Sequence, residues 1–177
     1  FLHAQQALGL PTGTIKVIED ERITSSLMVP TMVNMIIQSP DLADADLSSL
    51  RAVLYGASPM PSSVQKAAIE AFGPIFAQGY GMTEASPLVT VLSLDAHRRG
   101  IAGEEPWTSR MQSAGSPVAG VRVEVRRDDG VTVCDVGEAG EIYVQGPNIM
   151  RGYWNRDEET ANALVDGWYR SGDVAYA

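Results

Sequence analysis

Residues 51–80 read Arg51-Ala-Val-Leu-Tyr-Gly-Ala-Ser-Pro-Met-Pro-Ser-Ser-Val-Gln-Lys-Ala-Ala-Ile-Glu-Ala-Phe-Gly-Pro-Ile-Phe-Ala-Gln-Gly-Tyr80. Arg51 to Tyr55 is a short apolar run that stops at Gly56, as a buried strand would. Pro61 to Phe72 follows, with apolar residues at Val64, Ala67, Ala68, Ala71 and Phe72. Offsets of three and four place them on one helix face. Pro61 suits the helix start, and Gly73-Pro74 supplies the stop. Ile75 to Gln78 then predicts another strand, running into Gly79.

Outward from this unit the same alternation continues towards the N-terminus. Arg22 to Val29 alternates loosely and turns wholly apolar before Pro30, which predicts a strand. Thr31 to Gln38 carries Met32, Met35 and Ile36 at helical spacing. Strand, helix, strand, helix, strand describes an α/β layer with a parallel sheet. Thr12-Gly13-Thr14-Ile15-Lys16 lacks the glycine density that lets backbone amides wrap a phosphate, and is expected to be a turn.

The character changes after about Asp95. Residues 98–120 are rich in Gly, Ser and Pro and read as a long connecting segment, with His97 beside Arg98-Arg99 in solvated loop. Val121, Val123 and Val125 then alternate with charged residues, Asp128-Asp129-Gly130 supplies a turn and Val131 to Val133 returns, which predicts a hairpin. Glu141 to Gln145 is a further strand. Asn155 to Ala163 reads as a short helix, with Asn155 as N-cap, Glu158 in capping-box position and Asp157-Glu158-Glu159 complementing the dipole. The expected fold is therefore α/β followed by mostly β: a partial doubly wound α/β layer over residues 1–97 and a β-rich, barrel-like subdomain over 98–177.

Composition bounds the function. A chain of 177 residues holds one domain or two small ones, and a formal charge of -9 argues against a nucleic-acid or anionic-membrane surface. A single cysteine, Cys134, makes neither an intrachain disulfide nor a cysteine-rich metal site, which fits a reducing compartment, with cytoplasm as the default. The most apolar stretch, Leu27 to Ile37, is broken by Pro30 and Asn34 and is short of the ~18 to 20 residues of a membrane helix. The opening Phe1-Leu2-His3-Ala4 has neither an initiator Met nor a signal pattern. It reads as starting inside a longer chain.

Gln78-Gly79-Tyr80-Gly81-Met82-Thr83-Glu84 is the densest chemical cluster. Glycines around an aromatic let the backbone approach a flat ligand, and a hydroxyl and a carboxylate follow within one turn. Gly56-Ala57-Ser58 occupies the equivalent place after the neighbouring strand, and open α/β sheets bind ligands beyond their strands' carboxyl ends. Pattern alone leaves two readings open, a ligand slot and a pair of ordinary glycine turns.

Tyr80-Gly81-Met82-Thr83-Glu84 resembles the Tyr-Gly-x-Thr-Glu motif of the adenylate-forming superfamily, which includes acyl-CoA synthetases, luciferases and peptide-synthetase adenylation domains. The resemblance extends in order through Val29-Pro30-Thr31-Met32, Gly56-Ala57-Ser58-Pro59, Gly140-Glu141-Ile142 to Gly146, Gly152-Tyr153-Trp154 and Trp168-Tyr169-Arg170-Ser171-Gly172-Asp173. Met82 favours the acyl-CoA synthetase branch. The resemblance implies that Gly56, Ala57, Ser58, Gln78, Gly79 and Tyr80 line an adenine slot for ATP or AMP, and that Thr83 bonds the α-phosphate. It implies that Glu84 helps hold Mg²⁺, that Asp173 accepts from the ribose hydroxyls, and that Val29, Thr31, Met32, Tyr55, Gly81 and Met82 wall an acyl pocket. His3 resembles a histidine that precedes that pocket, though a terminal, structural role is expected for it.

The implied reaction joins a carboxylate, fatty or aryl, to ATP as acyl-AMP with loss of pyrophosphate, then passes the acyl group to CoA. The family's phosphate loop and its C-terminal catalytic lysine are expected outside these 177 residues, and this polypeptide alone is expected to be inactive. The alternatives are an adenine-nucleotide-binding or purely structural unit, and an amino-acid-activating domain serving a carrier protein. An apolar edge on an incomplete sheet predicts self-association. The segment Gly9 to Lys16 looks shorter than the family's usual connection.

Overall fold

The computed structural model describes residues 11–177; His3, Gly9 and Leu10 lie outside them. Thr12–Lys16, expected as a turn, lies in helix α1 (Thr12–Asp20). Its buried residues Thr14, Ile15 and Ile18 recur at helical spacing, and burying that stripe overrides the turn preference of Gly13.

Strand β1 (Ser25–Met28) leads to helix α2 (Pro30–Ile37), in which Pro30 takes the first helical position. Strand β2 (Ala52–Gly56), helix α3 (Ser62–Phe72) and strand β3 (Phe76–Tyr80) follow. Gly73 ends α3 with φ 79°, a left-handed conformation that suits glycine. The three strands pair in parallel, with Met28 beside Tyr55, Tyr55 beside Gln78 and Gly56 beside Gly79. Val53, Tyr55 and Phe76 point into a core completed by Ile18, Val33, Ile36 and Ala68. The expected stripes are buried only in part: Ile36 and Ala68 are buried and Met32, Val64, Ala67 and Phe72 half-buried, whereas Met35 and Ala71 are exposed and Val33 and Gln65 take the buried places.

The sheet continues through β4 (Thr90–Leu92) to β5 (Ser116–Pro117), in the order β1-β2-β3-β4-β5. Helix α4 (Leu94–Ile101) stands where a solvated loop is expected. Ser93 accepts a hydrogen bond from the Ala96 N–H at 3.1 Å, Asp95 sits in the first turn, and Arg98 and Arg99 in the last, a charge order that favours a helix. His97 is therefore not solvated: it is wholly buried.

The antiparallel sheet contains β6 (Arg122–Arg126), β7 (Ala139–Gln145), β8 (Leu164–Val165) and β9 (Trp168–Tyr176), in the order β6-β7-β9-β8. A register shift between Glu141 and Tyr143 bends it, and it curls as a half-barrel. The Arg126 guanidinium lies 4.6 Å from the Tyr143 ring centre and 4.5 Å from that of Trp168, with Glu124 bonded to it at 2.7 Å. The expected hairpin return at Val131–Val133 is short: one antiparallel bridge, Arg126 to Val133, with the Arg127 N–H donating to the Thr132 carbonyl at 2.9 Å and the Cys134 N–H to the Val125 carbonyl at 2.8 Å. The Asp129 carboxylate accepts from the Val131 and Thr132 N–H groups and from the Thr132 hydroxyl, and these local bonds hold the turn between the two arms. Asn155 is not a cap: it sits at φ 53°, and helix α5 (Asp157–Ala163) starts after Arg156.

The described residues divide into two compact units, 11–80 with 91–116, and 81–90 with 117–177. The division is not one cut in the sequence, because Gly81–Thr90 belongs with the antiparallel sheet. Among the described residues no helix is long and apolar enough to cross a membrane. Among the described residues strand β1 ends the order of its sheet, and Leu27 upon it is 68% exposed.

Two measurements check this account. Phe76→Ala should cost about 3–5 kcal/mol in urea denaturation, because the ring is buried edge-on against Tyr55 and Phe72. The Thr132 side-chain and backbone bonds, with that of Val131, hold the Asp129 carboxyl down to about 2. Its stabilisation of the turn is complete above the ordinary value of 3.8 and is lost as pH falls towards 2. Amide signals of Val131 and Thr132 should titrate in that window.

Candidate functional site

In the first unit, β2 and β3 end side by side with glycine at the paired positions Gly56 and Gly79. A methyl group built on Gly56 would collide with the Gly79 carbonyl oxygen. The pair therefore forms a flat backbone surface without side chains at the carboxyl ends of two parallel strands, where a planar ring can lie against the main chain. Ala57 turns away at φ 67°, uncommon for a residue with a Cβ. Ala57 and Ser58 are exposed, and Gln78, Gly79 and Tyr80 are half-exposed. Beneath them the Tyr55 hydroxyl lies 3.2 Å from Gln78 Oε1.

In the second unit, Gly81 packs so tightly on Pro87 and Leu88 that a Cβ would overlap the Pro87 carbonyl. Met82 is extended, Thr83–Ala85 forms one 3₁₀ turn, and Ser86 closes it at φ 52°. Three groups from one later segment hold this loop. Asn148 Nδ2 donates to the Ala85 and Leu88 carbonyls at 2.7 and 3.1 Å, and the Met150 N–H to the Glu84 carbonyl at 2.7 Å. The Tyr153 hydroxyl donates to Glu84 Oε1 at 2.9 Å. Burial first, and then Glu84, push the Tyr153 phenol above its usual pKa, so it stays a donor.

With Oε1 occupied by Tyr153, Glu84 offers its second oxygen to a cation. Among the described residues no cluster of three or more His, Cys, Asp or Glu could hold a metal ion. A lone carboxylate fits Mg²⁺, which takes one or two carboxylates and completes its shell with water and substrate phosphate. Thr83 is exposed beside it.

Asp173 stands on β9, exposed, its N–H donating to Ser171 Oγ at 3.0 Å. Ser171 Oγ in turn donates to the Ile142 carbonyl at 2.8 Å. Glu141 receives the Gly172 N–H at 3.2 Å and Arg170 Nη2 at 2.9 Å, so this stretch is fixed from the neighbouring strand. Beside it lies an open cleft of about 670 Å³ lined by Glu141, Tyr153, Arg156, Tyr169, Arg170 and Ser171, among others. Tyr153 thus lines the cleft and holds Glu84.

Among the residues expected at an acyl wall, Val29 and Thr31 are exposed at the β1–α2 junction, Met32 packs against the core and Met82 is half-exposed. Tyr55 is instead a core residue, 1% exposed, with its hydroxyl bonded inside. Two residues the sequence reading did not assign are Asn148 and Tyr153. Tyr153 had a signal in Gly152-Tyr153-Trp154; Asn148 binds carbonyls some sixty positions away, as its 63- and 60-residue separations state, and leaves no local trace.

Tyr153→Phe should cost about 1 kcal/mol in chemical denaturation, a half-exposed hydrogen bond to a carboxylate. Asn148→Ala should cost about 2 kcal/mol, because two loop carbonyls lose their donor.

Residues 2–154 match the family model described as AMP-binding enzyme. Over 165 residues, 93% of this chain, it is 43% identical to a feruloyl-CoA synthase of an Amycolatopsis species, covering 31% of that protein. It is 39% identical over 165 residues, again 93% of the chain, to the medium/long-chain-fatty-acid–CoA ligase FadD8 of Mycobacterium tuberculosis, covering 27% of it. The amide bond synthetase McbA of Marinactinospora thermotolerans is similar in structure. Its TM-score is 0.84 at 36% identity, over 95% of this chain and 32% of that one. The chain therefore spans about a third or less of the length of the proteins it matches.

Proposed function

The chain belongs to the AMP-binding enzyme family, and on that premise we propose that it supplies the nucleoside side of an ATP-dependent carboxylate–CoA ligase. The observation that carries the reading is the pairing of Gly56 with Gly79 at two parallel strand ends, with Tyr80 next in the chain. Adenine lies on that surface, bordered by Ala57, Ser58, Gln78 and the Tyr80 ring. Thr83 donates to the α-phosphate, and Asp173 accepts from the ribose hydroxyls. Glu84, oriented by Tyr153, would hold Mg²⁺, which supplies charge neutralisation on phosphate oxygens.

The carboxylate is a fatty or aryl acid, the classes that the names of the two ligase relatives carry. Val29, Thr31, Met32, Gly81 and Met82 border its acyl group. CoA is the acceptor, and cytoplasm the compartment. Residues 1–97 carry the adenine surface, and 98–177 end at the ribose-binding motif.

Calorimetric titration with AMP should saturate, and Asp173→Ala should weaken binding about tenfold or more, the cost of one charged hydrogen-bond partner. No heat with either protein overturns the nucleotide reading and favours a structural unit. ATP–pyrophosphate exchange with fatty and aryl acids should be negligible for these 177 residues; turnover at a complete ligase's rate would contradict that. Sedimentation should show self-association through the β1 edge, where Leu27 is exposed, and a clean monomer at high concentration would exclude it.

A further inference from the structure

Behind the proposed adenine surface lies a buried polar network. The Tyr55 hydroxyl oxygen meets Gln65 Nε2 at 3.1 Å, His97 Nε2 at 3.1 Å and Gln78 Oε1 at 3.2 Å. Tyr55 is 1% exposed and His97 fully buried, their rings packed edge to face at 5.8 Å.

The hydrogens can be assigned from the outside inwards. Gln65 Oε1 accepts from Gln112 Nε2 at 2.9 Å, and Gln65 Nε2 also reaches the Met111 carbonyl at 3.4 Å, so Gln65 presents N–H to Tyr55. His97 Nδ1 lies 3.0 Å from the Ser93 carbonyl, which can only accept, so the hydrogen is on Nδ1. Burial pushes the His97 pKa down, which keeps the ring neutral and leaves Nε2 a bare acceptor. Tyr55 has one hydroxyl hydrogen, and two acceptors face it: His97 Nε2 and Gln78 Oε1. One must yield. The imidazole cannot turn, because Nδ1 is held and the ring is enclosed. Gln78, half-exposed at the strand end, can rotate its amide.

We propose that Tyr55 gives its hydrogen bond to His97 Nε2 and thereby selects which end of the Gln78 amide faces the nucleotide. The amide N–H turns back to the Tyr55 oxygen and the carbonyl oxygen turns outward, where it accepts from an exocyclic amine. His97 and Tyr55 are then positioning residues for purine choice, favouring a 6-amino purine over a 6-keto purine. The inference rests on the reading of Gln78-Gly79-Tyr80 as a nucleotide surface.

The test compares AMP and IMP by calorimetry on the whole chain, with nitrogen-15 spectra of the His97 ring. The chain should prefer AMP by about tenfold, the effect of one lost hydrogen bond with its acceptor left unpaired. His97→Phe removes the competing acceptor, returns the Tyr55 hydrogen to Gln78 Oε1 and should abolish or invert the preference. Adding Gln78→Glu, which offers only acceptors, should restore it. An unchanged AMP-to-IMP ratio in folded His97→Phe overturns the proposal. If that variant does not fold, the ring spectrum of the unaltered chain decides: a neutral ring with hydrogen on Nδ1 supports the relay, and a charged ring or hydrogen on Nε2 overturns it. Failure of the unaltered chain to bind either nucleotide removes the nucleotide reading and the selectivity with it. The ring spectrum separates that outcome from failure of the relay itself.

Discussion

At the carboxyl end of β2, Gly56 lies against the carbonyl of Gly79 on β3 with no room for a methyl group between them. That contact fixes how closely the strand ends approach and leaves bare peptide where side chains would otherwise stand. Gly56→Ala would either spread the strands or tilt the Gly79 peptide, and both changes would reach Tyr80, one residue on. The surface exists because two glycines share a register, and the register follows from the alternation that sends Val53 and Tyr55 inward.

The same register puts Tyr55 beside Gln78, so a core residue sits directly behind the exposed surface. Buried polar groups are costly unless their hydrogen bonds are complete, and here completeness depends on residues from α3, α4 and the segment after it. In the second unit the control is of another kind: Asn148, Met150 and Tyr153 hold the Thr83–Ala85 turn by hydrogen bonds within that unit. Each unit thus holds its own share of the Gln78–Glu84 motif by packing and hydrogen bonding in its own interior.

Much of this was legible in the sequence. The strand and helix around Gly56, with Gly73 as stop, follow from periodicity and glycine chemistry, and the structure reproduces them within a residue or two. Membership of the AMP-binding enzymes was legible in the ordered motifs. The misreadings have physical causes. Thr12–Lys16 lacks the glycine density of a phosphate loop and reads as a turn, but the buried Ile15 and Ile18 stripe makes it helical. His97 was expected in solvent because Arg98 and Arg99 follow it; the helix turns the arginines away and the imidazole inward. Asn155 lost its capping role to a left-handed backbone. Asn148 and the Tyr55 network act across tens of residues, where no local pattern reports them.

The central claim is that the paired strand ends receive the adenine ring, and photolabelling with an azido-substituted AMP, followed by peptide mapping, tests it most directly. Label on peptides containing Gly56–Ser58 and Gln78–Tyr80, suppressed by excess unmodified AMP, is the predicted result. Label elsewhere, or label that AMP does not displace, would contradict it.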